Sequence, residues 1–500
     1  MLNISAQGSI PSRLYRADQV RELDRVLIEE RGIPGLTLMR RAASACCDVL
    51  LEKWPVPARV RVYCGSGNNA ADGYIVAGML AEKAIPVDVV VIGDPAKLGK
   101  DGVAAYAYCR QSEAVMVAPG DSLASPTVIV DALLGTGVQG ASRDHYRRAI
   151  EEINALGVPI LAVDVPSGLN VDTGAVADIA VVADITVTFI GLKQGCFTAQ
   201  GVDHVGRIHF ADLGPYPDPS SDLLAPGPVV ERLDLKALLS ELPRRVRNAH
   251  KFKFGHVLVV GGDLGMGGAP LMSALAAIRS GAGLVSLATR PELAPILMAQ
   301  QPELMIRGVL GADDLEPLLA QATVVVLGPG LGQNDWGQAL FNRVLASDLP
   351  LVIDADGLNL LAQNPVKRGN WILTPHPGEA SRLLSDDDVQ SHRFDAVQQL
   401  QAKYGGVAVL KGAGTLVSSE QAETGLCPYG NPGMSTAGMG DVLAGVVGGV
   451  SAQLPNLSVA ARLAVALHSA AGDRCAERAG EVGLMATDLI PVVRELINDR

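Results

Sequence analysis

Residues 59–73, Arg-Val-Arg-Val-Tyr-Cys-Gly-Ser-Gly-Asn-Asn-Ala-Ala-Asp-Gly, lead from a β-branched run straight into a glycine-rich turn. Arg59–Tyr63 predicts a buried strand, and the residues after the turn predict a helix. Gly65, Gly67 and Ala70 match the G-x-G-x-x-G/A pattern of dinucleotide-binding loops, in which glycines let the backbone approach a diphosphate. The same pattern fits a tight strand-to-helix turn without a ligand equally well. The stretch therefore indicates an α/β fold before it indicates a ligand.

The same alternation of short apolar runs and helical stretches continues through the first half of the chain. The predicted strands are Arg59–Tyr63, Val87–Ile92, Thr127–Val130, Pro159–Val163 and Ile185–Phe189, and the predicted helices span residues 16–30, 38–54, 72–84, 101–110 and 143–155. Strands with apolar residues at consecutive positions, separated by helices, are typical of a parallel sheet that is covered on both faces.

The composition of the sequence changes between residues 211 and 252, where Gly214–Ser221 and Ala225–Pro228 are rich in proline. After this segment the alternation of strands and helices restarts, and the two halves do not repeat each other in sequence. We therefore predict two different α/β domains, over residues 1–220 and 253–500, joined by a linker region over residues 221–252.

Composition excludes several classes of function. The 500 residues carry 41 Lys and Arg against 53 Asp and Glu, a net charge of −12, which argues against non-specific binding to nucleic acid. The seven cysteines are scattered and form no C-x-x-C motif, which favours a reducing compartment. Neither a signal peptide nor a membrane-spanning stretch is visible, so we expect a cytoplasmic protein without membrane partners.

Oxygen-bearing side chains follow three of the predicted strands at the point where each strand ends. They are Asn68, Asn69 and Asp72 after the first strand, Asp131 after the strand that ends at Val130, and Asp164 and Ser167 after the strand that ends at Val163. The carboxyl ends of parallel strands meet at one edge of a sheet, where ligands bind. Carboxylate, amide and hydroxyl oxygens suit a hard cation. The alternative is that each aspartate only caps a helix or turn.

A second glycine-rich constellation lies in the other half. Residues 431–445, Asn-Pro-Gly-Met-Ser-Thr-Ala-Gly-Met-Gly-Asp-Val-Leu-Ala-Gly, place Asp441 where an apolar helix begins. Backbone N–H groups of such a loop can hold a phosphate, and the Asp441 carboxylate can accept a proton from a substrate hydroxyl, although the residue can also serve as an N-cap. His376 between two prolines and Lys411 at a strand end are further candidates for ligand contact, or alternatively a structural histidine and a solvated lysine.

In the first half, the motifs GSGNNAADG, DALLGTG and DVPSG resemble the YjeF N-terminal domain, the NAD(P)HX epimerase, over about residues 10–215. The resemblance implies a Rossmann-like three-layer sandwich, a potassium ion held by Asn69, Asp131 and Ser167, and Asp164 as the acid/base residue. It also implies that the hydrated nicotinamide cofactor is contacted by Asn68, Asn69, Ala70, Ala71, Asp72, Gly135, Thr136, Gly137, Val138, Gln139, Gly140, Ala141 and Asp164. The family usually has Gly-Gly where this chain has Ala70-Ala71, and alanine is strained at such a position if it needs a positive φ.

In the second half, the motifs GPGLG, TPHPGE, KGAGT and NPGMSTAGMGDVLAG resemble the YjeF C-terminal domain, the ADP-dependent NAD(P)HX dehydratase of the ribokinase-like superfamily, over about residues 230–498. The resemblance implies a ribokinase-like α/β/α sandwich with Asp441 as the catalytic residue and Mg²⁺ accompanying the phosphates of ADP. It implies that Ala269, Gly332, His376 and Asp441 contact the hydrated cofactor. It further implies that the adenine nucleotide is held by Lys411, Gly412, Ala413, Gly414, Thr415 and Gly440.

Together the two resemblances predict a bifunctional repair enzyme that interconverts the R and S hydrates of NADH and NADPH and dehydrates the S form with ADP. Its expected partners are these small molecules and further copies of the same chain. Two alternatives stay open at the level of the sequence. One is a ribokinase-like small-molecule kinase fused to a non-catalytic ligand-binding domain, and the other is a plain NAD-dependent dehydrogenase.

Overall fold

A computed structural model describes residues 4–6, 10–121, 123–137, 140–214, 227 and 229–499. The chain divides into two compact units, one that ends at Val230 and one that runs from Glu231 to Arg500. Part of the segment predicted as a linker, residues 221–252, lies in the second unit, where it forms a strand and a short helix. None of the helices formed by the described residues is long and apolar enough to cross a membrane.

The first unit is built on a parallel sheet. Its strands are β1 (Ile4–Ala6), β2 (Arg13–Tyr15), β3 (Val60–Cys64), β4 (Val87–Val91), β5 (Val115–Val117), β6 (Val128–Ala132), β7 (Ile160–Val163), β8 (Ile185–Phe189), β9 (Leu192–Lys193) and β10 (Arg207–Ala211). Eight of these strands, counted over the described residues, form the sheet in the order β1-β10-β8-β7-β6-β3-β4-β5, and every pairing is parallel. β2 pairs with β9, also in parallel.

Helices cover both faces of this sheet. They are α1 (Ala17–Arg25), α2 (Gly35–Lys53), α3 (Asn68–Glu82), α4 (Lys100–Gln111), α5 (Asp144–Ala155) and α6 (Gly201–His204). Val60 and Val62 of β3 pack in one apolar cluster with residues of α2 and α3, whereas Tyr63 packs in another with residues of α5. Because successive side chains of a strand point to opposite faces, this division makes the unit a three-layer sandwich, as predicted.

The second unit also has a mainly parallel sheet, with an antiparallel end. Its strands are β11 (Val230–Arg232), β12 (His256–Val260), β13 (Leu284–Thr289), β14 (Met305–Gly308), β15 (Val324–Leu327), β16 (Leu351–Ile353), β17 (Trp371–Leu373), β18 (Val407–Leu410), β19 (Leu416–Ser419) and β20 (Ala422–Leu426). Their order is β14-β13-β12-β15-β16-β17-β18-β19-β20-β11, and only the β18–β19 and β19–β20 pairs among these described strands are antiparallel.

Apolar helices form the core of the second unit. Its helices are α7 (Leu235–Leu239), α8 (Gly268–Arg279), α9 (Ala294–Gln300), α10 (Glu316–Leu319), α11 (Asp335–Leu345), α12 (Ala355–Gln363), α13 (Pro377–Leu384), α14 (Arg393–Tyr404), α15 (Met439–Ser451), α16 (Leu457–Ala479) and α17 (Ala486–Leu496). A Cβ added at Gly445 of α15 would lie 2.1 Å from the carbonyl oxygen of Ser273 on α8. Glycine therefore lets these two buried helices approach closely.

Most predicted strands and helices agree with the structure to within one or two residues. Two helices of the first unit begin earlier than predicted, α2 at Gly35 rather than at residue 38 and α3 at Asn68 rather than at Asp72. The glycine-rich loop is therefore shorter than predicted, and Ala70 and Ala71 belong to the first turn of the helix.

Candidate functional sites

The three polar loops of the first unit do converge at the carboxyl edge of its sheet. A Cβ at Gly65 would lie 1.9 Å from the carbonyl oxygen of Leu133, so only glycine allows the first two loops to approach this closely. Asn69 Nδ2 donates to the carbonyl of Leu134 at 2.9 Å, and the backbone N–H of Leu134 donates to Ser167 Oγ at 2.8 Å. Residues of all three loops thus surround one backbone segment.

Asp131 lies at the centre of this convergence and is fully buried. Its Oδ1 accepts a hydrogen bond from Ser167 Oγ at 2.6 Å, and its Oδ2 accepts one from the Ser167 backbone N–H at 2.8 Å. Burial raises the pKa of Asp131 to about 6, although the bonds from Ser167 oppose this shift. The Oδ1 atom of Asn69 is buried without a hydrogen-bond partner. An orphaned amide oxygen beside a buried carboxylate, a hydroxyl and a carbonyl is a donor set that fits a hard cation.

Asp164 forms a second feature of this edge. Its φ is +64°, a left-handed conformation that is uncommon for a residue with a side chain and is often found at functional sites. Its carboxylate forms an ion pair with Lys193 and accepts a hydrogen bond from Thr188 Oγ1 at 3.2 Å. The Lys193 side chain is 1% exposed and that of Asp164 is 17% exposed, so the carboxylate is the partner nearer the solvent.

Two more carboxyl groups lie near this ion pair. Burial raises the pKa of Asp72 well above its usual value, and the charges of Asp164 and Asp24 raise it further. Burial also raises the pKa of Asp24, with Asp164 adding to the shift and Lys193 opposing it. The Oδ1 atom of Asp72 is buried without a hydrogen-bond partner. The cluster therefore places two carboxyl groups that hold a proton more readily than usual beside the Asp164–Lys193 ion pair.

The other residues predicted for the first site range from buried to exposed. Asn68 is exposed at the start of α3, and the described part of the predicted contact loop, which includes Gly135, Thr136, Gly137, Gly140 and Ala141, is half-buried to exposed. Val138 and Gln139 lie outside the described residues. Ala70 and Ala71 are buried in α3 without a positive φ, so alanine is not strained at either position.

The second unit also places a lysine against an aspartate. Lys411 Nζ lies 2.7 Å from Asp354 Oδ1 and 3.7 Å from Glu379 Oε2. The lysine side chain is 17% exposed and the aspartate side chain is 2% exposed, and Thr374 Oγ1 donates to Asp354 at 2.9 Å. Burial works against the charge of Lys411, but Asp354 and Glu379 outweigh it and raise the pKa of the ammonium group. Lys411 is therefore a fixed cation and not a solvated loop lysine.

Asp441 stands next to this cation, in the first turn of α15. A Cβ at Gly440 would lie 3.2 Å from Lys411 Nζ, so the lysine head lies directly against the helix N-terminus. Burial raises the pKa of Asp441 to about 7, and the negative charge of Asp354 adds to the shift while Lys411 opposes it. A carboxyl group with a pKa near neutrality beside free helix N–H groups is suited to proton transfer next to a phosphate.

His376 caps the N-terminus of α13 and has a half-exposed side chain. Its Nδ1 accepts a hydrogen bond from the Gly378 backbone N–H at 3.0 Å, and its own backbone N–H donates to Glu379 Oε2 at 2.8 Å. Burial lowers the pKa of His376, and the charge of Lys411 lowers it further. The histidine is thus a neutral, rigidly held group on the rim of the site.

Gly332 is fixed by carboxylates of the neighbouring loops. It has a φ of +72°, and its backbone N–H donates to Asp356 Oδ2 at 2.9 Å. A Cβ at this position would lie 2.8 Å from Asp263 Oδ2, so the position requires glycine on both counts. Ala269 lies in the first turn of α8, which follows the Gly261–Gly268 loop at the same sheet edge.

An arginine that sequence reasoning missed holds the predicted nucleotide loop, Lys411–Thr415, from behind. Arg393 is 1% exposed, and its Nη2 donates to the carbonyls of Leu410, Lys411 and Gly414 at 3.3, 3.2 and 3.5 Å. Burial lowers its pKa to about 10. Because N–H and C=O point in opposite directions across a trans peptide, a Lys411 carbonyl turned toward Arg393 turns the Gly412 N–H away from it. The arginine therefore sets the direction of a loop amide.

Asp354 and Lys193 were also missed, for different reasons. Asp354 follows β16 directly, as Asp164 follows β7, so the rule that singled out Asp164 could have found it. Lys193 lies in a short strand that no pattern predicts, and its proximity to Asp164 is visible only in the folded chain.

Comparison with known proteins matches both halves of the chain. The family described as YjeF-related protein N-terminus matches residues 35–195, and the family described as NAD(P)H-hydrate dehydratase matches residues 257–494. The chain is 49% identical over 488 residues to the bifunctional NAD(P)H-hydrate repair enzyme Nnr of Coxiella burnetii, which covers 97% of this chain and 99% of the relative. It is 40% identical over 500 residues to the enzyme of the same name from Escherichia coli, covering 98% and 95% of the two chains.

Among solved structures, a ribokinase-like superfamily protein from Enterococcus faecalis is similar to this chain. It is 32% identical, covers 54% of this chain and 95% of its own, and superposes with a TM-score of 0.50. The fold class predicted from the sequence, two α/β domains with one ribokinase-like, is thereby confirmed.

Proposed function

The chain belongs to the family of bifunctional NAD(P)H-hydrate repair enzymes, and we propose that its two sites divide the work by the chemistry of their exposed groups. The epimerase domain presents the carboxylate of Asp164 to the substrate. The dehydratase domain presents the ammonium of Lys411 and the carboxyl group of Asp441. The observation that carries this assignment is that Asp441, with a pKa raised to about 7, stands beside a fixed cation at a helix N-terminus.

In the epimerase site, inversion of the carbon that carries the hydroxyl group requires its C–O bond to break and to form again on the other face. A proton held by the neighbouring Asp72 passes through Asp164 to the departing oxygen, which leaves as water, and Asp164 takes a proton back from the water that adds to the other face, so the proton balance is unchanged. Lys193 acts as a positioning residue, because its ammonium holds the Asp164 carboxylate in place. Asp72 and Asp24 complete a cluster that can share the proton.

A potassium ion is the cation we assign to Asn69, Asp131 and Ser167. The buried, unpartnered Asn69 Oδ1 and the buried Asp131 carboxylate support this assignment. When bound, the ion supplies positive charge beside the substrate-contacting residues Asn68–Asp72 and the loop Gly135–Ala141.

In the dehydratase site, ADP binds at the loop Lys411–Thr415 and at Gly440, with Mg²⁺ carried on its phosphates, as is usual for this ion. Asp441 takes the proton of the ring hydroxyl while that oxygen attacks the terminal phosphorus, and AMP leaves. The C–O bond of the new phosphate ester then breaks with its electron pair going to phosphate, and loss of a proton from the neighbouring carbon restores the reduced nicotinamide. Ala269, Gly332 and His376 hold the hydrated ring beside Asp441.

The test is recovery of reduced nicotinamide absorbance from a mixture of R and S hydrates with ADP. The unmodified chain should restore the whole mixture. Asp441→Asn should restore none of it while still interconverting the epimers, and Asp164→Asn should restore only the share that begins as the S form. Each variant thus serves as the folding control for the other. Complete recovery by Asp164→Asn at the rate of the unmodified chain would remove Asp164 from the mechanism and favour a ligand-binding role for its domain.

We also propose a cytoplasmic location and an assembly of identical chains. All seven cysteines are free thiols buried in the structure, as expected in a reducing compartment. Light scattering of the purified chain tests the assembly.

A further inference from the structure

A cavity of about 520 Å³ lies beside the dehydratase site and is lined by Gln333, Asn359, Ala362, Gln363 and Arg382. Its size is within the range of small-molecule sites. The cavity adjoins the site, because its lining residue Gln333 follows Gly332 directly, and Asp356 accepts hydrogen bonds both from the Gly332 N–H at 2.9 Å and from Gln333 Nε2 at 3.3 Å.

Arg382 supplies a positive charge at this cavity. Its Nε donates to Asn359 Oδ1 at 2.9 Å, which fixes the guanidinium group. Among the described residues Arg382 forms no ion pair, although its charge acts on the carboxyl group of Glu379, whose ion-pair contacts are with Lys411 and His376. Its field reaches the site, since burial, Lys411 and then Arg382 lower the pKa of His376.

The distance between His376 and Arg382 along α13 suits the separation between the nicotinamide ring and the diphosphate of the substrate. His376 caps this helix and Arg382 lies six residues further on, which is about 9 Å along the axis at 1.5 Å per residue. Lys411, the cation at the place proposed for the ring, is already assigned to the phosphates of ADP. The diphosphate of the hydrated dinucleotide therefore needs a different cation, and Arg382 is placed to provide one.

We infer that this cavity binds the half of the hydrated dinucleotide that lies beyond the nicotinamide ribose, with Arg382 meeting the diphosphate and the amides of Gln333, Asn359 and Gln363 facing the adenosine. The inference rests on the proposed function, because it takes the ring to lie at Gly332, His376 and Asp441. It assigns the cavity to the hydrate and not to ADP.

The test is the steady-state kinetics of Arg382→Gln with hydrated NADH and ADP as separately varied substrates. Loss of one charge-assisted contact should raise the KM for the hydrate about tenfold, with kcat within twofold and the KM for ADP unchanged. Arg279→Gln removes the same charge from an exposed position at the C-terminal end of α8 and should change neither KM.

A second variant, Ala362→Phe, fills the cavity without touching a charge. It should also raise the KM for the hydrate and leave the KM for ADP unchanged, with the melting temperature showing that the chain is folded. An unchanged KM for the hydrate in both variants, or a raised KM for ADP, overturns the inference. Failure of the proposed function looks different, since Asp441→Asn would then retain dehydration.

Discussion

The two sites each place a lysine against an aspartate at the carboxyl edge of a sheet, but they bury opposite partners. In the epimerase domain the lysine side chain is 1% exposed and Asp164 is 17% exposed. In the dehydratase domain Lys411 is 17% exposed and Asp354 is 2% exposed. The more exposed partner is a carboxylate in the domain for which we propose proton transfer and an ammonium in the domain for which we propose phosphate transfer. The buried partner fixes the position of the exposed one.

The largest effect on activity is expected when the buried lysine of the epimerase domain is removed. Lys193→Met should reduce the epimerase rate by roughly 10²–10³-fold, because Asp164 loses the cation that holds it. Epimer interconversion is measured directly, and dehydratase turnover of the same molecules reports that the chain is folded. Lys83→Met removes an exposed lysine of the same domain and should leave the rate unchanged. A Lys193→Met chain with full epimerase activity would show that the ion pair only stabilises the fold.

A smaller effect is expected from the arginine behind the nucleotide loop. Arg393→Met should raise the KM for ADP roughly ten- to hundredfold, since misplacing a binding loop by about an ångström is costly. Arg393→Lys should lie between the two, and the KM for the hydrate should stay constant in both.

The matched control is Arg368→Met. Arg368 also donates to carbonyls, those of Leu345 and Leu349 at 3.1 and 2.6 Å, but it precedes β17 at the opposite edge of the sheet. The Arg368→Met variant should have a lower melting temperature and an unchanged KM for ADP. Equal kinetic effects of the two variants would mean that Arg393 acts only on stability.

The pH dependence of the dehydratase activity tests the proposed role of Asp441. In the proposed mechanism Asp441 acts as a base in its ionised form, and burial raises its pKa to about 7. Below that pH its protonated fraction grows, so kcat/KM should fall about tenfold per pH unit, and above it kcat/KM should level off. The measurement is kcat/KM for the hydrate from pH 5.5 to 8.5 at saturating ADP. A flat profile between pH 6 and 8 would exclude Asp441 as the base.

The smallest effect is expected at the position where this chain departs from its family. Ala71 is buried in α3 with an ordinary helical conformation. Ala71→Gly should cost about 1 kcal/mol of stability and lower the melting temperature of its domain by about 2–4 °C, because it removes a buried methyl group and gives the unfolded chain more conformational freedom to lose. Epimerase activity should stay within twofold. A large gain in activity would show that alanine limits this site after all.

The dinucleotide pattern at Gly65, Gly67 and Ala70 predicts a local turn but not the contacts of that turn with distant residues. The turn was predicted correctly, but Ala70 and Ala71 lie within the helix, and the closeness of Gly65 to Leu133 joins two loops that are far apart in sequence. The alternative of a plain dehydrogenase rested on this motif alone, and the match of both domains to hydrate-repair families makes it wrong.

The strands, the alternating helices and the polar residues after the strands can all be predicted from the sequence alone. These features depend on periodicity and on residues that are adjacent in the chain. The sequence also carried the motifs that identify the family. Three further features arise only in the folded chain: the burial of one partner in each ion pair, the contact of Arg393 with the loop Lys411–Thr415, and the cavity next to Gln333. These features join residues such as Asp164 with Lys193 and Asp354 with Lys411, which come together only through the packing of separate strands and loops.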